Sequence, residues 1–336
     1  MASLFQAAIV QANSGTDLDE NQTSDLIDAM LRGEAEERDV ANLLLALKEK
    51  GESVSELVGA SRAMRRHMTQ IPHSHRVLLD TCGTGGSGSG TFNISTAVAI
   101  VAAAAGVAVA KHGNRRATSL TGSADVLEVL GVPIESDAES VAQRLDRDGI
   151  CFCFAAKLHP AMRHVIGVRR QLGVKTLFNL LGPLCNPAGA THQLLGTSTP
   201  ETQTMVAAAI GALGTTRSFV VHAADGQDEV SLDGATHVID VQASENKTYD
   251  WTPADFGLQE TTRDALAAAN PNESAEIIRR VFHGESGPCR DAVLAGTAAA
   301  LVLVGVASDI RDGVKKAAET IDSGAAKDKL ASLVGH

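Results

Sequence analysis

The stretch from Asp80 to Thr96, DTCGTGGSGSGTFNIST, limits what this chain can become more than any other. A short apolar run, Val77 to Leu79, precedes it and a long one, Ala97 to Ala105, follows it, so the order predicts strand, glycine-rich loop and helix. Gly83, Gly85, Gly86, Gly88 and Gly90 carry no Cβ, and the backbone there can turn sharply and approach a ligand closely. Asn93, Ser95 and Thr96 stand at the expected helix start with side chains that suit caps. Main-chain N–H groups and the positive end of the helix dipole would then face the loop, an arrangement that binds phosphate or pyrophosphate. A flexible linker has no reason to sit between a β-like run and a helix start.

Around this stretch the chain has two textures. The first seventy residues read as helices. Leu26, Ile27, Met30 and Leu31 have helical spacing up to Gly33, and Val40, Leu43, Leu44 and Leu47 repeat it up to Gly51. Ser53 and Glu56 have the spacing of a capping box for a third helix, and Pro72 closes the segment. Beyond it, β-like runs at 77–79, 107–110, 150–154 and 219–222 alternate with helical patterns at 96–105, 124–130, 138–147 and 200–213. Alternation of this kind implies an α/β domain with a mostly parallel central sheet covered on both faces. Ligands bind such sheets at the carboxyl ends of the strands.

Composition narrows the function. With 336 residues and 44% hydrophobic content the chain can bury one large core and a small one. A formal charge of −11 and 3% aromatic residues argue against a general nucleic-acid binder, which needs cations for phosphates and rings for bases. Five scattered cysteines do not form a disulfide framework, and Cys151 and Cys153 in GICFCF are expected as buried apolar side chains. The start, MASLFQAAIVQAN, lacks the basic and apolar regions of a secretory signal. The runs 97–110 and 292–307 fall short of the roughly 20 residues of a membrane span and are expected as buried helices. The expectation is a cytoplasmic protein with neither membrane nor nucleic acid as partner.

Three further motifs carry chemistry. Lys111-His112-Gly113-Asn114-Arg115-Arg116 follows a predicted strand one helix after the glycine loop, and both loops could close over one anion. Thr118, Ser119 and Ser123 add hydroxyls; alone, the cluster would be a solvated basic turn. Asp228-Glu229, in HAADGQDEVSL, places two carboxylates past a strand end, where they could hold Mg²⁺ and orient a diphosphate, or form an acidic turn. The run Asn179 to Pro187, NLLGPLCNP, has two proline junctions that predict an extended, rigid chain. Arg169 and Arg170 precede it, and an arginine can grip a carboxylate with two parallel bonds. His73 and His75 are expected at the surface. A serine-hydrolase elbow, a Walker lysine and a Rossmann acidic residue are all missing from the sequence. The parts indicate a diphosphate, a divalent metal and a carboxylate-bearing second substrate.

Taken in order, these motifs resemble the anthranilate phosphoribosyltransferases of tryptophan biosynthesis along nearly the whole chain. CGTGG…TFNIST is similar to that family's diphosphate loop, KHGNR with Thr121 to Asp125 to its second phosphate loop, VRRQLGVKTLFNLLGPLCNP to its hinge and acceptor segment, and DEVSL to its metal pair. The resemblance implies a nucleoside-phosphorylase-like α/β fold. A small all-helical domain, residues 1–72 with a return segment near 165–190, would pack beside a larger domain, 73–164 and 191–336. It implies a homodimer associated through the helical domain. By the same resemblance Gly83, Gly86, Ser87, Thr91, Asn93, Ile94, Ser95 and Thr96 would line the phosphoribosyl diphosphate site. So would Lys111, His112, Gly113, Asn114, Arg115, Arg116, Ala117, Thr118, Ser119 and Ser123. Ser95, Asp228 and Glu229 would hold Mg²⁺, and Gly83, Asn114 and Arg169 would contact anthranilate.

The implied reaction is attack of the anthranilate amine on the ribose C1 with loss of pyrophosphate, through an oxocarbenium-like state that needs no protein nucleophile. Catalysis would rest on positioning and on neutralising the leaving group, and no residue stands out in the sequence as a general base. A pyrimidine nucleoside phosphorylase would lack NLLGPLCNP with its upstream Arg169, and a nucleic-acid-binding relative would be basic and without the acidic pair. The family pattern GTGGDG differs at one place, where this chain has Ser87 for an aspartate. Slower turnover with undiminished diphosphate affinity is expected from that change.

Overall fold

The computed structural model describes residues 2–85, 88–115, 121–243 and 245–335. Four helices come first: α1 (Ala2–Asn13), α2 (Glu20–Leu31), α3 (Glu37–Lys50) and α4 (Val54–His67). Reciprocal capping boxes open α2, through Asp19 and Gln22, and α4, through the expected Ser53 and Glu56. Gly33 and Gly51, both at positive φ, follow α2 and α3 and turn the chain away. α2 packs on α4 and α1 on α3. Leu26, Ile27, Leu43, Leu44, Leu47 and Leu57 are all buried there, each worth roughly 1.5–3 kcal/mol relative to exposure.

The chain then alternates through β1 (Leu79–Gly83), α5 (Ile94–Ala104), β2 (Val109–Gly113), α6 (Ser123–Val129), α7 (Ala138–Asp148) and β3 (Ile150–Phe154). A crossing segment returns to the first helices. It comprises α8 (Ala155–Leu158), a 3₁₀ turn (Pro160–His164), α9 (Ile166–Leu172), α10 (Phe178–Leu181) and a second 3₁₀ turn (Gly182–Leu184). In it the first 3₁₀ turn rests on α2, α9 on α3 and α10 on α4. The rest is β4 (His192–Gly196), α11 (Pro200–Ala212), β5 (Arg217–Ala223), β6 (Thr236–Gln242) and β7 (Lys247–Trp251), then α12 (Pro253–Phe256), α13 (Pro271–Phe282), α14 (Pro288–Leu303), α15 (Ile310–Asp322) and α16 (Ala325–Val334).

Among the described residues the strands form one sheet, ordered β3-β2-β1-β4-β5-β6-β7. The first five pair in parallel, and β6 and β7 are added by antiparallel pairing, so that β6 alone runs against the others. Alternate residues of the central strands serve two cores. Leu194, Phe219 and Val221 pack with the apolar helices α5 and α14, whereas Leu195 and Val220 pack with α11 and the amino-terminal helices. β1, β2, β4 and β5 therefore all end at the same edge of the molecule, and the site lies there.

Several elements differ from the sequence expectation. The first two strands begin later and run further than predicted, to Gly83 and Gly113, so Asp80, Lys111 and His112 are strand residues. Their polarity hides the strands, and tertiary partners pay for burying it. The segment from Asn179 to Leu184 is helical rather than extended, because Pro183 falls at the start of a 3₁₀ turn, where no N–H is needed. Asn93 is the residue before α5 but its side chain does not cap the helix. The run 97–110 divides between α5 and β2, and 292–307 lies mostly in α14; the helical part of each is largely buried. No helix among the described residues is long and apolar enough to cross a membrane. All five thiols are free, with Cys151 and Cys153 buried and their sulfurs 3.9 Å apart.

Candidate active site

A cleft of about 690 Å³ opens at the carboxyl ends of β1 and β2, between the sheet and the crossing segment. Gly83, Thr91, Asn93, Ser95, Lys111, His112, Gly113, Asn114, Arg115, Ser123, Arg169, Asp228 and Glu229 all line it, so residues from four distant stretches meet as expected. Ile94 and Thr96 do not. The first turn of α5 points them inward, where Ile94 joins the core and the Thr96 hydroxyl donates to Asn93 Oδ1 at 3.3 Å. Gly86, Ser87, Arg116, Ala117, Thr118 and Ser119 lie outside the described residues.

One end of the cleft gathers the acidic pair, main-chain N–H groups and Lys111. Gly83 and Gly196 are register partners on β1 and β4, and the Asp228 loop rests on them. A Cβ on Gly196 would stand 1.7 Å from the Asp228 carbonyl oxygen, and one on Gly83 2.7 Å from Asp228 Oδ2. Only glycine at both positions leaves this seat open. The Gly85 N–H donates to Asp228 Oδ2 and the Ser95 N–H to Glu229 Oε1, both at 3.2 Å. Behind the pair, the Gln227 N–H donates to Asp225 Oδ1 and the Ser231 hydroxyl to Asp225 Oδ2, which ties the loop into a fixed shape. Burial first, and the Asp228 charge second, push the Glu229 carboxyl up to about 8. The pair is thus short of positive charge. Lys111, buried in β2, donates to Thr81 O at 2.7 Å and to Ser95 Oγ at 3.2 Å. Burial lowers its pKa, and the nearby Asp80 charge opposes that.

The other end is apolar, with the half-buried Arg169 set into it. Met64, Met162, Ile166, Phe178 and Leu181 line it. Arg169, in α9, donates from Nη2 to Asn179 Oδ1 at 3.4 Å and lies 5.4 Å from the Phe178 ring centroid. Among the described residues no carboxylate pairs with it, and burial lowers its pKa. Arg170 is exposed. Asn114 sits at the junction of the two ends, its carbonyl accepting the Ala124 N–H at 3.2 Å. Arg115 turns its guanidinium to the rim, with Nη1 on Glu128 Oε2 at 2.8 Å.

The structure also brings in His159, which the sequence did not mark. His159 lines the cleft with its Nε2 3.2 Å from His112 Nε2, while His112 Nδ1 lies 3.0 Å from Gly182 O. Burial depresses both rings, to about 3 and about 4, so both are neutral. Thr121 accepts a 2.7 Å bond from Asn93 Nδ2, which explains why that side chain leaves the helix cap. His159 stands in no charged or glycine-rich run, so local pattern gave no signal for it, whereas Thr121 opens the run Thr121 to Asp125 that the sequence had marked. Among the described residues no three His, Cys, Asp or Glu side chains cluster as a metal site, and any cation here would rest on two carboxylates and a hydroxyl.

Comparison with known proteins agrees with this geometry. Residues 6–68 match the glycosyl transferase family helical bundle domain, and residues 75–327 the a/b domain of the same family. An anthranilate phosphoribosyltransferase of Rhodopirellula baltica is 68% identical over 329 residues, 98% of this chain and 96% of that protein. One from Anaeromyxobacter dehalogenans is 46% identical over 331 residues, 98% of each chain. The crystal structure of the Thermus thermophilus anthranilate phosphoribosyltransferase superposes with a TM-score of 0.92 at 42% identity, covering 98% of both chains. The Saccharomyces cerevisiae enzyme in complex with PRPP and Mg superposes with a TM-score of 0.92 at 28% identity, covering 100% of this chain and 98% of that one.

Proposed function

The chain belongs to the anthranilate phosphoribosyltransferases of the glycosyl transferase family, and we propose that its cleft joins anthranilate to 5-phosphoribosyl 1-diphosphate, a step of tryptophan biosynthesis. The observation that carries this reading is one cleft with a glycine loop and an acidic pair at one end and, at the other, Arg169 with no carboxylate partner among the described residues. The product is N-(5-phosphoribosyl)anthranilate. The amine nitrogen bonds to the ribose C1, the C1–oxygen bond to diphosphate breaks, and an amine proton is lost.

Each end of the cleft has a task in this reaction. The main-chain N–H groups of the glycine loop and the Lys111 ammonium offset the charge of the diphosphate. Ser95, Asp228 and Glu229 fit Mg²⁺, since all offer hard oxygen donors and the raised Glu229 carboxyl marks a pair in need of a cation. Bound Mg²⁺ supplies positive charge to the diphosphate oxygens as they leave. Arg169 takes the anthranilate carboxylate, and the apolar wall from Met64 to Phe178 takes its ring. Asn114, and Gly83 beside the Asp228 seat, are proposed to contact anthranilate as its amine meets the ribose.

The two bodies of the protein are proposed as residues 1–72 with the return segment 165–190, and 73–164 with 191–336. Val168, Leu177, Phe178, Leu181 and Leu184 share one apolar cluster with α2–α4, which supports placing the return segment with the helices. The exposed Leu4 and Val10 of α1 support a homodimer through the helical domain, and five free thiols support the reducing cytoplasm. Light scattering on the eluting protein tests the dimer. The function is tested by mixing the protein with anthranilate, phosphoribosyl diphosphate and Mg²⁺ and following anthranilate fluorescence. Loss that requires all three is expected; undiminished fluorescence refutes the reading.

A further inference from the structure

Beneath the two phosphate loops lies a buried polar network to which the reaction above assigns no task. Asp80, in β1, is 0% exposed. Its Oδ1 accepts the main-chain N–H of His112 at 3.0 Å, and its Oδ2 accepts Asn186 Nδ2 at 2.8 Å. The same Nδ2 donates to Ala110 O at 2.8 Å, and Asn186 Oδ1 accepts the Ala188 N–H at 2.9 Å. One carboxylate therefore joins three pieces of chain. The first is β1, which runs into the glycine loop. The second is the end of β2, which presents Lys111, His112 and Asn114 to the cleft. The third is the turn after α10, whose Asn179 holds Arg169.

A carboxylate is costly to carry into a dry interior, and an apolar side chain would pack between the strands without that cost. What an apolar residue could not do is fix three segments by directed bonds. We propose that Asp80 is a positioning residue that locks the donor-side loops to the acceptor-side segment, so that the amine and the ribose C1 meet in line. The inference rests on the functional reading above. It places the effect of Asp80 on the relation between the two substrates and not on the binding of either one. A displacement of about 1 Å between reacting groups can cost on the order of 100-fold in rate.

The test is Asp80→Asn in the full chain. An asparagine offers one acceptor oxygen where His112 N–H and Asn186 Nδ2 need two, so one of the two donors loses its partner. Dissociation constants for anthranilate and for phosphoribosyl diphosphate, measured separately by calorimetry, are expected to stay within about threefold of the parent while kcat falls about tenfold or more. Asn186→Ala, which cuts the same bond from the other side and leaves the His112 bond intact, is expected to give the same split. A parent chain that makes no product sinks the functional reading and the inference with it. An active parent with a variant kcat within about twofold, or with weakened binding and unchanged saturated rate, overturns the inference alone. Failure of both variants to fold reduces the network to a strut of the fold and overturns it too.

Discussion

Replacing Arg169 with alanine tests the acceptor end of the cleft directly. Among the described residues the guanidinium donates to Asn179 Oδ1, and it lies near the Phe178 ring. Asn179 Oδ1 also accepts the Thr176 N–H at 3.0 Å, so removing Arg169 leaves no orphaned amide and the fold is expected to survive. A half-buried cation with no carboxylate partner among the described residues suits an incoming anion. A charge-assisted bond contributes about 1.5–3 kcal/mol, so the KM for anthranilate is expected to rise roughly 10- to 150-fold. The KM for phosphoribosyl diphosphate should move by less than about threefold, since the Asp228 seat is untouched. Arg169→Lys keeps the charge but not the planar fork and is expected to fall between the two. Steady-state kinetics with each substrate varied against saturating partner decide the matter. Equal rises in both KM values, or a rise in the diphosphate KM alone, would refute the role assigned to Arg169.

Three other predictions concern separate parts of the site. Asp228→Asn with Glu229→Gln is expected to abolish turnover at ordinary Mg²⁺ levels and to weaken Mn²⁺ binding in the presence of pyrophosphate, read by electron paramagnetic resonance, while the melting temperature holds; full activity in limiting metal would leave the pair a mere acidic turn. Gly196→Ala places a Cβ 1.7 Å from the Asp228 carbonyl oxygen, which should cost roughly 1–3 kcal/mol in urea unfolding and displace the acidic pair; a variant as stable and active as the parent would show that the seat is soft. The buried His112 ring titrates near 4 against an ordinary value of 6.5, so between those pH values the unfolded chain takes up a proton that the folded one refuses. Stability from this group is present above 6.5 and falls as pH drops toward 4, by about 3 kcal/mol; urea midpoints from pH 7 to 4 should fall less steeply for His112→Asn.

Much of the architecture and most of the site were legible in the sequence because they depend on local chemistry. The capping pair Ser53 and Glu56 and the helical spacing from Leu26 to Leu47 act within a few residues of themselves, and the glycine run from Gly83 to Gly90 is a local pattern even though its partner Asp228 is distant. The basic run after β2 and the Asp228-Glu229 pair were readable for the same reason, since charge beside glycine at a strand end is a local pattern. Only the tertiary structure could decide which side of the chain each residue would face. It turned Ile94 and Thr96 into the core by the phase of α5, and it bent Asn179 to Leu184 into helical turns against α4. It also made strands of Asp80-Thr81 and Lys111-His112, whose polarity argues against burial until their partners arrive from across the sheet. Asp80 and Asn186 are 106 positions apart and meet at 2.8 Å. Directed bonds of that kind depend on the whole fold, so no stretch of the sequence announces them.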